Sequence, residues 1–94
     1  MLTGVAYIEV AGIRMAYRRS VPVGVGAVDV PVVLLHALAE DSATWDAVCL
    51  ELTGAGRESI AIDLRGHGKS DWPGSYSFEL IVNDVIGVLD GLAY

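Results

Sequence analysis

The chain has 94 residues, of which 53% are hydrophobic, and its formal net charge is −6. A hydrophobic fraction above the ~45–50% typical of soluble domains excludes an intrinsically disordered chain, and the length suits one small domain over residues 1–94. The acidic balance argues against a nucleic-acid partner, because phosphate binding needs a basic surface.

Two strands joined by a tight turn are predicted near the N-terminus. Residues 5–10 and 13–17 each alternate between apolar and polar side chains. Ala11-Gly12 separates them, and glycine readily takes the positive φ that a two-residue hairpin turn requires. The pattern predicts a β-hairpin, followed by a loop over residues 20–29.

Two more strands alternate with two helices. Val32–Leu35 and Ile60–Leu64 are apolar runs, interrupted only by Asp63, of the kind found in strands buried on both faces of a parallel sheet. Helical spacing of apolar residues predicts amphipathic helices over Ser42–Thr53 and Ser77–Leu92. The stripe of the first helix consists of Trp45, Val48, Cys49 and Leu52, with Asp41 or Ser42 as its cap. This order predicts an α/β fold in which a hairpin precedes two parallel strands.

One segment imitates a phosphate-binding loop. Gly68-Lys69-Ser70 matches the end of the pattern G-x-x-x-x-G-K-[ST], but Asp63 stands where the first glycine would be. A carboxylate at that point would repel phosphates. The motif must also open into a helix, whereas Asp71–Gly74 has the composition of a turn. Nucleotide binding is therefore disfavoured.

The segments around both buried strands resemble a known family. The first strand ends in His36 and the turn Ala37-Leu38, and Trp45 follows. The second strand runs into a D-x-R-G-x-G-x-S element. That element is formed by Asp63, Arg65, Gly66, Gly68 and Ser70. From about residue 5 to residue 92 the chain resembles the α/β-hydrolase superfamily, in particular its esterase, peptidase and epoxide-hydrolase-like branch.

The resemblance implies an incomplete α/β-hydrolase fold with Val32–Leu35 as its third strand and Ile60–Leu64 as its fourth. In that family the turn after the third strand donates a backbone N–H to the oxyanion hole. The matching donor here is Leu38, next to Ala37. Such an N–H stabilises the charge that develops on oxygen in an acyl-transfer transition state. The family commonly has His-Gly at this turn, so Ala37 would restrict the backbone if a positive φ were required.

The remaining motif residues are expected to be structural. By the resemblance, the catalytic histidine follows the last strand of the fold, beyond these residues. His36 is expected to pin its turn and His67 its loop, because a histidine without an orienting carboxylate is a weak candidate base. Asp63 and Arg65 are expected to fix the loop as a pair, and Trp45 to lie in the core. Neither histidine has partners at metal-ligand spacing, and no cofactor is implied.

The nucleophile elbow G-x-S-x-G does not occur in these 94 residues. By the resemblance it follows the fifth strand. We therefore expect a truncated, N-terminal fragment of a hydrolase of esters, amides or epoxides, inactive alone and acting on a small-molecule substrate only in the complete parent. Two alternatives stay open: half of a split hydrolase completed by a second chain, and a non-catalytic interaction module.

Two expectations concern the partners of the chain and its location in the cell. In the family's strand order Val32–Leu35 lies between the fourth and fifth strands, so it is predicted to be an unpaired apolar edge that self-associates or pairs with a complementary chain. The single Cys49 cannot form an internal disulfide, and no run approaches the ~18–20 apolar residues of a membrane span. With Glu9 and Arg14 where a signal peptide would be apolar, a cytoplasmic protein without a membrane partner is expected.

Overall fold

The computed structural model describes residues 4–22 and 30–94, which form a four-stranded mixed sheet and two α-helices. The strands are β1 (Ala6–Val10), β2 (Ile13–Ser20), β3 (Val32–Leu35) and β4 (Ser59–Ile62), in the sheet order β1-β2-β4-β3. β2 is antiparallel to β1 and β4, whereas β3 and β4 are parallel. The predicted hairpin and parallel pair are confirmed. Most of the predicted loop over residues 20–29 lies outside the described residues, and Ser20 belongs to β2.

The hairpin turn is the two-residue type that matches strand twist. Ala11 and Gly12 have φ values of 49° and 82°, and Val10 pairs with Ile13 directly before and after them. Positive φ at both central positions is typical of the primed turns that favour hairpins.

The first helix begins as a short 3₁₀ helix, Ser42–Trp45, and continues as α1, Asp46–Gly54. Asp41 is the cap, since its carboxylate accepts the N–H of Ala43 at 2.9 Å. The apolar side of α1 packs against the β3–β4 part of the sheet. This narrow contact buries Cys49 but leaves Val48, at the margin of the predicted stripe, 39% exposed.

The second helix, α2 (Phe78–Gly91), covers the opposite face of the sheet. Ser77 caps it by accepting the N–H of Leu80. Its buried side packs on a core of Met15, Ile60, Ile62 and Val88. Gly87 and Gly91 lie so close to the side chains of Val10 and Ile8 in β1 that a Cβ at either glycine would clash. Both glycines therefore set the distance between α2 and β1.

Two boundaries position the site. β4 ends at Ile62, two residues before the predicted end, because Asp63 and Leu64 turn into the loop that carries the D-x-R-G-x-G-x-S element. β3 has β4 as its only neighbour in the described sheet, so it is an edge strand there. Within residues 4–22 and 30–94, no helix is both long and apolar enough to cross a membrane.

Candidate active-site cleft

An open cleft of about 530 Å³ lies where β3 and β4 end. One wall is the turn after β3 and the other is the loop after β4. Its lining residues are Leu38, Ala39, Glu40, Asp41, Thr44, Gly66, His67, Gly68 and Trp72. The carboxyl ends of parallel strands are where α/β sheets generally bind their ligands. The topology thus brings the two predicted motif segments to one edge of the sheet.

His36 is the residue that ties the two walls together. Its ring is buried, and Nε2 accepts the N–H of Leu64 at 3.0 Å. The proton therefore sits on Nδ1, which donates to the carbonyl oxygen of Ala37 at 2.8 Å. Both ring nitrogens are engaged by backbone, so His36 has no nitrogen available for proton transfer in this arrangement.

The turn after β3 leaves the backbone amides of Leu38 and Ala39 without an acceptor among the described residues. The N–H of Ala37 donates to Glu40 Oε1 at 3.2 Å, and the carbonyl of Ala37 accepts the N–H of Glu40 at 3.1 Å. The N–H of Leu38 meets no acceptor among residues 4–22 and 30–94, and Leu38 lines the cleft. The left-handed residue of the turn is Ala39, with φ 65°, and Ala37 has no positive φ. The extra Cβ at Ala37 therefore does not strain the backbone.

Replacing Ala39 with glycine is expected to raise the free energy of unfolding by about 1 kcal/mol. A Cβ at left-handed φ destabilises the folded chain by ~1–2 kcal/mol, and glycine removes that strain. The greater conformational freedom of glycine in the unfolded chain offsets part of this stabilisation. Denaturant unfolding measures the change. The control is Ala47→Gly, in the exposed part of α1, which should destabilise by a similar amount. Equal signs for the two variants would contradict the strain assigned to Ala39.

Asp63 is a buried carboxylate that holds both walls of the cleft. Oδ1 accepts the N–H of Ser42 at 2.7 Å, and Oδ2 accepts the N–H of Lys69 at 3.1 Å. Ser70, also buried, donates its hydroxyl to the carbonyl of Asp63 at 2.6 Å and accepts the N–H of Ala16 at 2.8 Å. The first and last residues of the D-x-R-G-x-G-x-S element thus close the loop on itself and anchor it to β2.

Arg65 anchors the same loop to α2. Its Nε and Nη2 donate to the two carboxylate oxygens of Asp84 at 2.6 and 2.9 Å, and Nη1 donates to the carbonyl of Ser75 at 2.9 Å. Hydrogen bonding to Asp84 raises the pKa of the Arg65 guanidinium. Asp63 and Arg65 both fix the loop, but the prediction that they do so as a pair is wrong, because each binds different partners. Asp84 was missed, although a carboxylate among the apolar residues of an amphipathic stripe is a recognisable signal.

The two glycines of the element have positive φ, 74° at Gly66 and 53° at Gly68. A Cβ at Gly66 would lie 2.5 Å from the ring of Tyr76, and one at Gly68 would lie 2.5 Å from the carboxylate of Asp63. The backbone conformation favours glycine at both positions, and at Gly68 the bonded Asp63 carboxylate also leaves no room for a side chain. Between them, His67 lines the cleft and its Nδ1 lies 2.9 Å from the carbonyl oxygen of Arg65.

The predicted site residues divide into two groups. Leu38, Gly66, His67 and Gly68 line the cleft. The other six, His36, Ala37, Trp45, Asp63, Arg65 and Ser70, do not line it. Trp45 is half-buried against the cluster of Leu34, Cys49 and Ala61. In the described part of the chain neither histidine is hydrogen-bonded to a carboxylate. These residues therefore build the walls of a site and contain no acid–histidine pair.

Known proteins are similar to this chain in sequence. The sequence profile of the family described as "Serine aminopeptidase, S33" matches residues 26–93. Epoxide hydrolase 3 of Siraitia grosvenorii is 40% identical over 88 residues, which are 90% of this chain and 26% of that protein. An esterase of Mycobacterium tuberculosis is 39% identical over 64 residues, 66% of this chain and 20% of its own length.

A solved structure extends the similarity to three dimensions. A mutant epoxide hydrolase of Vigna radiata superposes with a TM-score of 0.81 and 32% identity, over 97% of this chain and 28% of that one. The chain thus spans about a quarter of the length of these relatives. The family match covers most of the chain, and the observed sheet is a partial α/β-hydrolase fold. The chain belongs to the serine aminopeptidase family within the α/β-hydrolase superfamily.

Proposed function

We propose that these residues form the scaffold side of the active site of a hydrolase of esters, amides or epoxides. Leu38 supplies one backbone N–H to the oxyanion hole, with Ala37 shaping the turn. The nucleophile, the acid and the catalytic histidine come from polypeptide outside these 94 residues. The 94 residues alone are inactive. The observation that carries the proposal is the N–H of Leu38, which lies at the edge of the cleft and has no acceptor within residues 4–22 and 30–94.

The fixed turn is what makes this amide suitable. His36 Nδ1 and the N–H of Glu40 both donate to the carbonyl of Ala37, and Glu40 Oε1 takes the N–H of Ala37. These bonds leave the N–H groups of Leu38 and Ala39 as the available donors of the turn, and the resemblance to the family matches Leu38 to the oxyanion hole. A dipole held in place before the reaction stabilises developing charge on oxygen without reorganising, which accounts for ~2.7–4 kcal/mol per donor in other enzymes. Ester, amide and epoxide hydrolysis all develop such charge.

Two further facts support the proposal. The relatives named above are epoxide hydrolases and an esterase. The family match over residues 26–93 covers both walls of the cleft. No serine of the 94 residues stands in a G-x-S-x-G elbow. A site without its nucleophile group retains little beyond binding and the oxyanion hole.

The first test uses the chain by itself. We expect the purified 94-residue polypeptide to hydrolyse p-nitrophenyl acetate no faster than a buffer blank. Turnover that disappears on replacing one of its own serines by alanine would overturn the proposal.

The second test removes the donor. Residues 4–94 replace the matching 28% of the Vigna radiata epoxide hydrolase, and epoxide hydrolysis is measured. Leu38→Pro deletes the N–H and is expected to lower kcat about 100-fold, whereas Leu38→Ala keeps the N–H and most of the activity. Proline suits this position because Leu38 precedes the left-handed residue of the turn. Equal rates for the two variants, or a folded chimera without activity, would contradict the assignment.

A further inference from the structure

The imidazole of His67 lies on the second wall of the cleft, in the loop after β4. Its Nδ1 is 2.9 Å from the carbonyl oxygen of Arg65. Because a carbonyl oxygen can only accept a hydrogen bond, Nδ1 carries the proton and donates it. In the neutral ring Nε2 is then the unprotonated nitrogen, with a lone pair that can accept a hydrogen bond. The loop backbone therefore fixes which nitrogen of His67 is the acceptor.

This acceptor is open to the cleft. Within residues 4–22 and 30–94, Nε2 meets no hydrogen-bond partner and is not buried. His67 itself lines the cleft, so its accessible nitrogen faces the space between the two walls. The exposure does not arise from an open sheet edge, because β4 has a neighbouring strand on each side, β2 and β3.

The acceptor lies close to the donors of the first wall. The ring centroid of His67 is 5.0 Å from that of His36, which stands two residues before Leu38. The first wall offers the N–H groups of Leu38 and Ala39 at this point. A substrate between the walls therefore meets hydrogen-bond donors on one side and an acceptor on the other. This polarity suits a substrate that carries an accepting oxygen and a donor group close together.

We propose that Nε2 of His67 accepts a hydrogen bond from the substrate. The cleft then selects substrates with a hydroxyl or N–H group next to the bond that is hydrolysed, such as 2,3-epoxy alcohols, esters of α-hydroxy acids or secondary amides. The inference rests on the proposed function, since it takes the N–H of Leu38 as the donor to the developing oxyanion. A site with a placed hydrogen-bonding atom discriminates against an analogue that lacks the matching group, because its own polar atom is left unpaired.

A matched pair of epoxides tests this selectivity in the chimera with the Vigna radiata enzyme. The pair is 3-phenylglycidol and trans-β-methylstyrene oxide, which lacks only the hydroxyl, at a pH of about 8, where an ordinary imidazole is neutral. His67→Asn keeps a donor for the carbonyl of Arg65 but places nothing at the position of Nε2. It should lower kcat/KM for phenylglycidol about 10-fold more than for the methyl compound. His67→Gln extends its amide to that position and should restore much of the preference.

The two substrates keep the two proposals apart. An unaltered chimera that hydrolyses neither compound would overturn the proposed function, and this inference with it. Activity toward both, with equal losses in His67→Asn, would overturn this inference alone, because a purely structural histidine affects both substrates alike. Long-range ¹H–¹⁵N NMR of the unaltered 94-residue chain should show His67 protonated at Nδ1. A proton on Nε2 instead would also overturn the inference.

Discussion

Replacing Asp84 with alanine is expected to lower the free energy of unfolding by about 3–5 kcal/mol. Arg65 and Asp84 are 4% and 3% exposed, and two hydrogen bonds join their side chains. Alanine would leave the Arg65 guanidinium buried without its counter-charge. The loop after β4 would then lose its anchor on α2, so the cleft would lose one wall together with the stability. Denaturant unfolding at fixed protein concentration measures the change.

Two controls separate the effect of breaking the Arg65–Asp84 ion pair from the effect of removing one negative charge. Asp90→Ala removes an exposed carboxylate from the same helix and is expected to change stability by less than ~0.5 kcal/mol. The double variant Arg65→Met with Asp84→Leu replaces both charges by apolar groups and should recover much of the loss, because buried ion pairs are often no more stable than apolar substitutes. A cost for Asp84→Ala no greater than that for Asp90→Ala would refute the role assigned to the pair.

The fold was predictable wherever its signals are local. Alternation over residues 5–17 specifies strands through side-chain periodicity, and the short apolar runs at Val32 and Ile60 indicate buried strands through their length and their β-branched residues. The cap at Ser77 marks the start of α2 in the same way. The break between the 3₁₀ helix and α1 was not predictable, because residues 42–53 keep an unbroken helical spacing. The first residue of the 3₁₀ helix is held by the bond from Ser42 N–H to Asp63, a contact that depends on the sheet being assembled.

The site was predictable in its residues but not in its connections. The D-x-R-G-x-G-x-S pattern singled out Asp63 and Arg65, yet their partners Ser42 and Asp84 lie 21 and 19 residues away along the chain. Asp84 stands out as a carboxylate within an apolar stripe, but nothing local identifies Arg65 as its partner, and nothing local singles out Ser42. The same holds for Glu58, which is nearly buried and binds both Arg19 and Tyr94.

These connections explain how a small chain can hold a preorganised cleft. His36 bonds the first wall to the second through Leu64, and Asp63 bonds the second wall to the first through Ser42. The walls are therefore cross-linked in both directions by buried side chains accepting backbone N–H groups. Because each of these bonds would leave a buried donor unsatisfied if it were lost, the two walls are expected to keep or lose their geometry together.

Gly68→Ala is expected to lower the free energy of unfolding by about 3 kcal/mol. A residue with a Cβ at the left-handed φ of 53° destabilises the folded chain by ~1–2 kcal/mol. The added carbon would also lie 2.5 Å from the carboxylate of Asp63. That carboxylate cannot move aside without giving up its bonds to Ser42 and Lys69, which adds ~1.5–3 kcal/mol.

Two other glycines separate the contributions in the Gly68 substitution. Gly74→Ala meets a similar φ of 81° with nothing within 4 Å, so it should cost only the conformational part, about 1 kcal/mol. Gly66→Ala should fall between the two, because the Tyr76 ring it would meet is 51% exposed and can swing away. Unfolding curves for the three variants therefore show how firmly Asp63 and Tyr76 are held, with Gly74 as the reference that has no neighbour. Equal losses at Gly68 and Gly74 would mean that the Asp63 carboxylate yields freely, and the cross-link it makes between the two walls would then be weak.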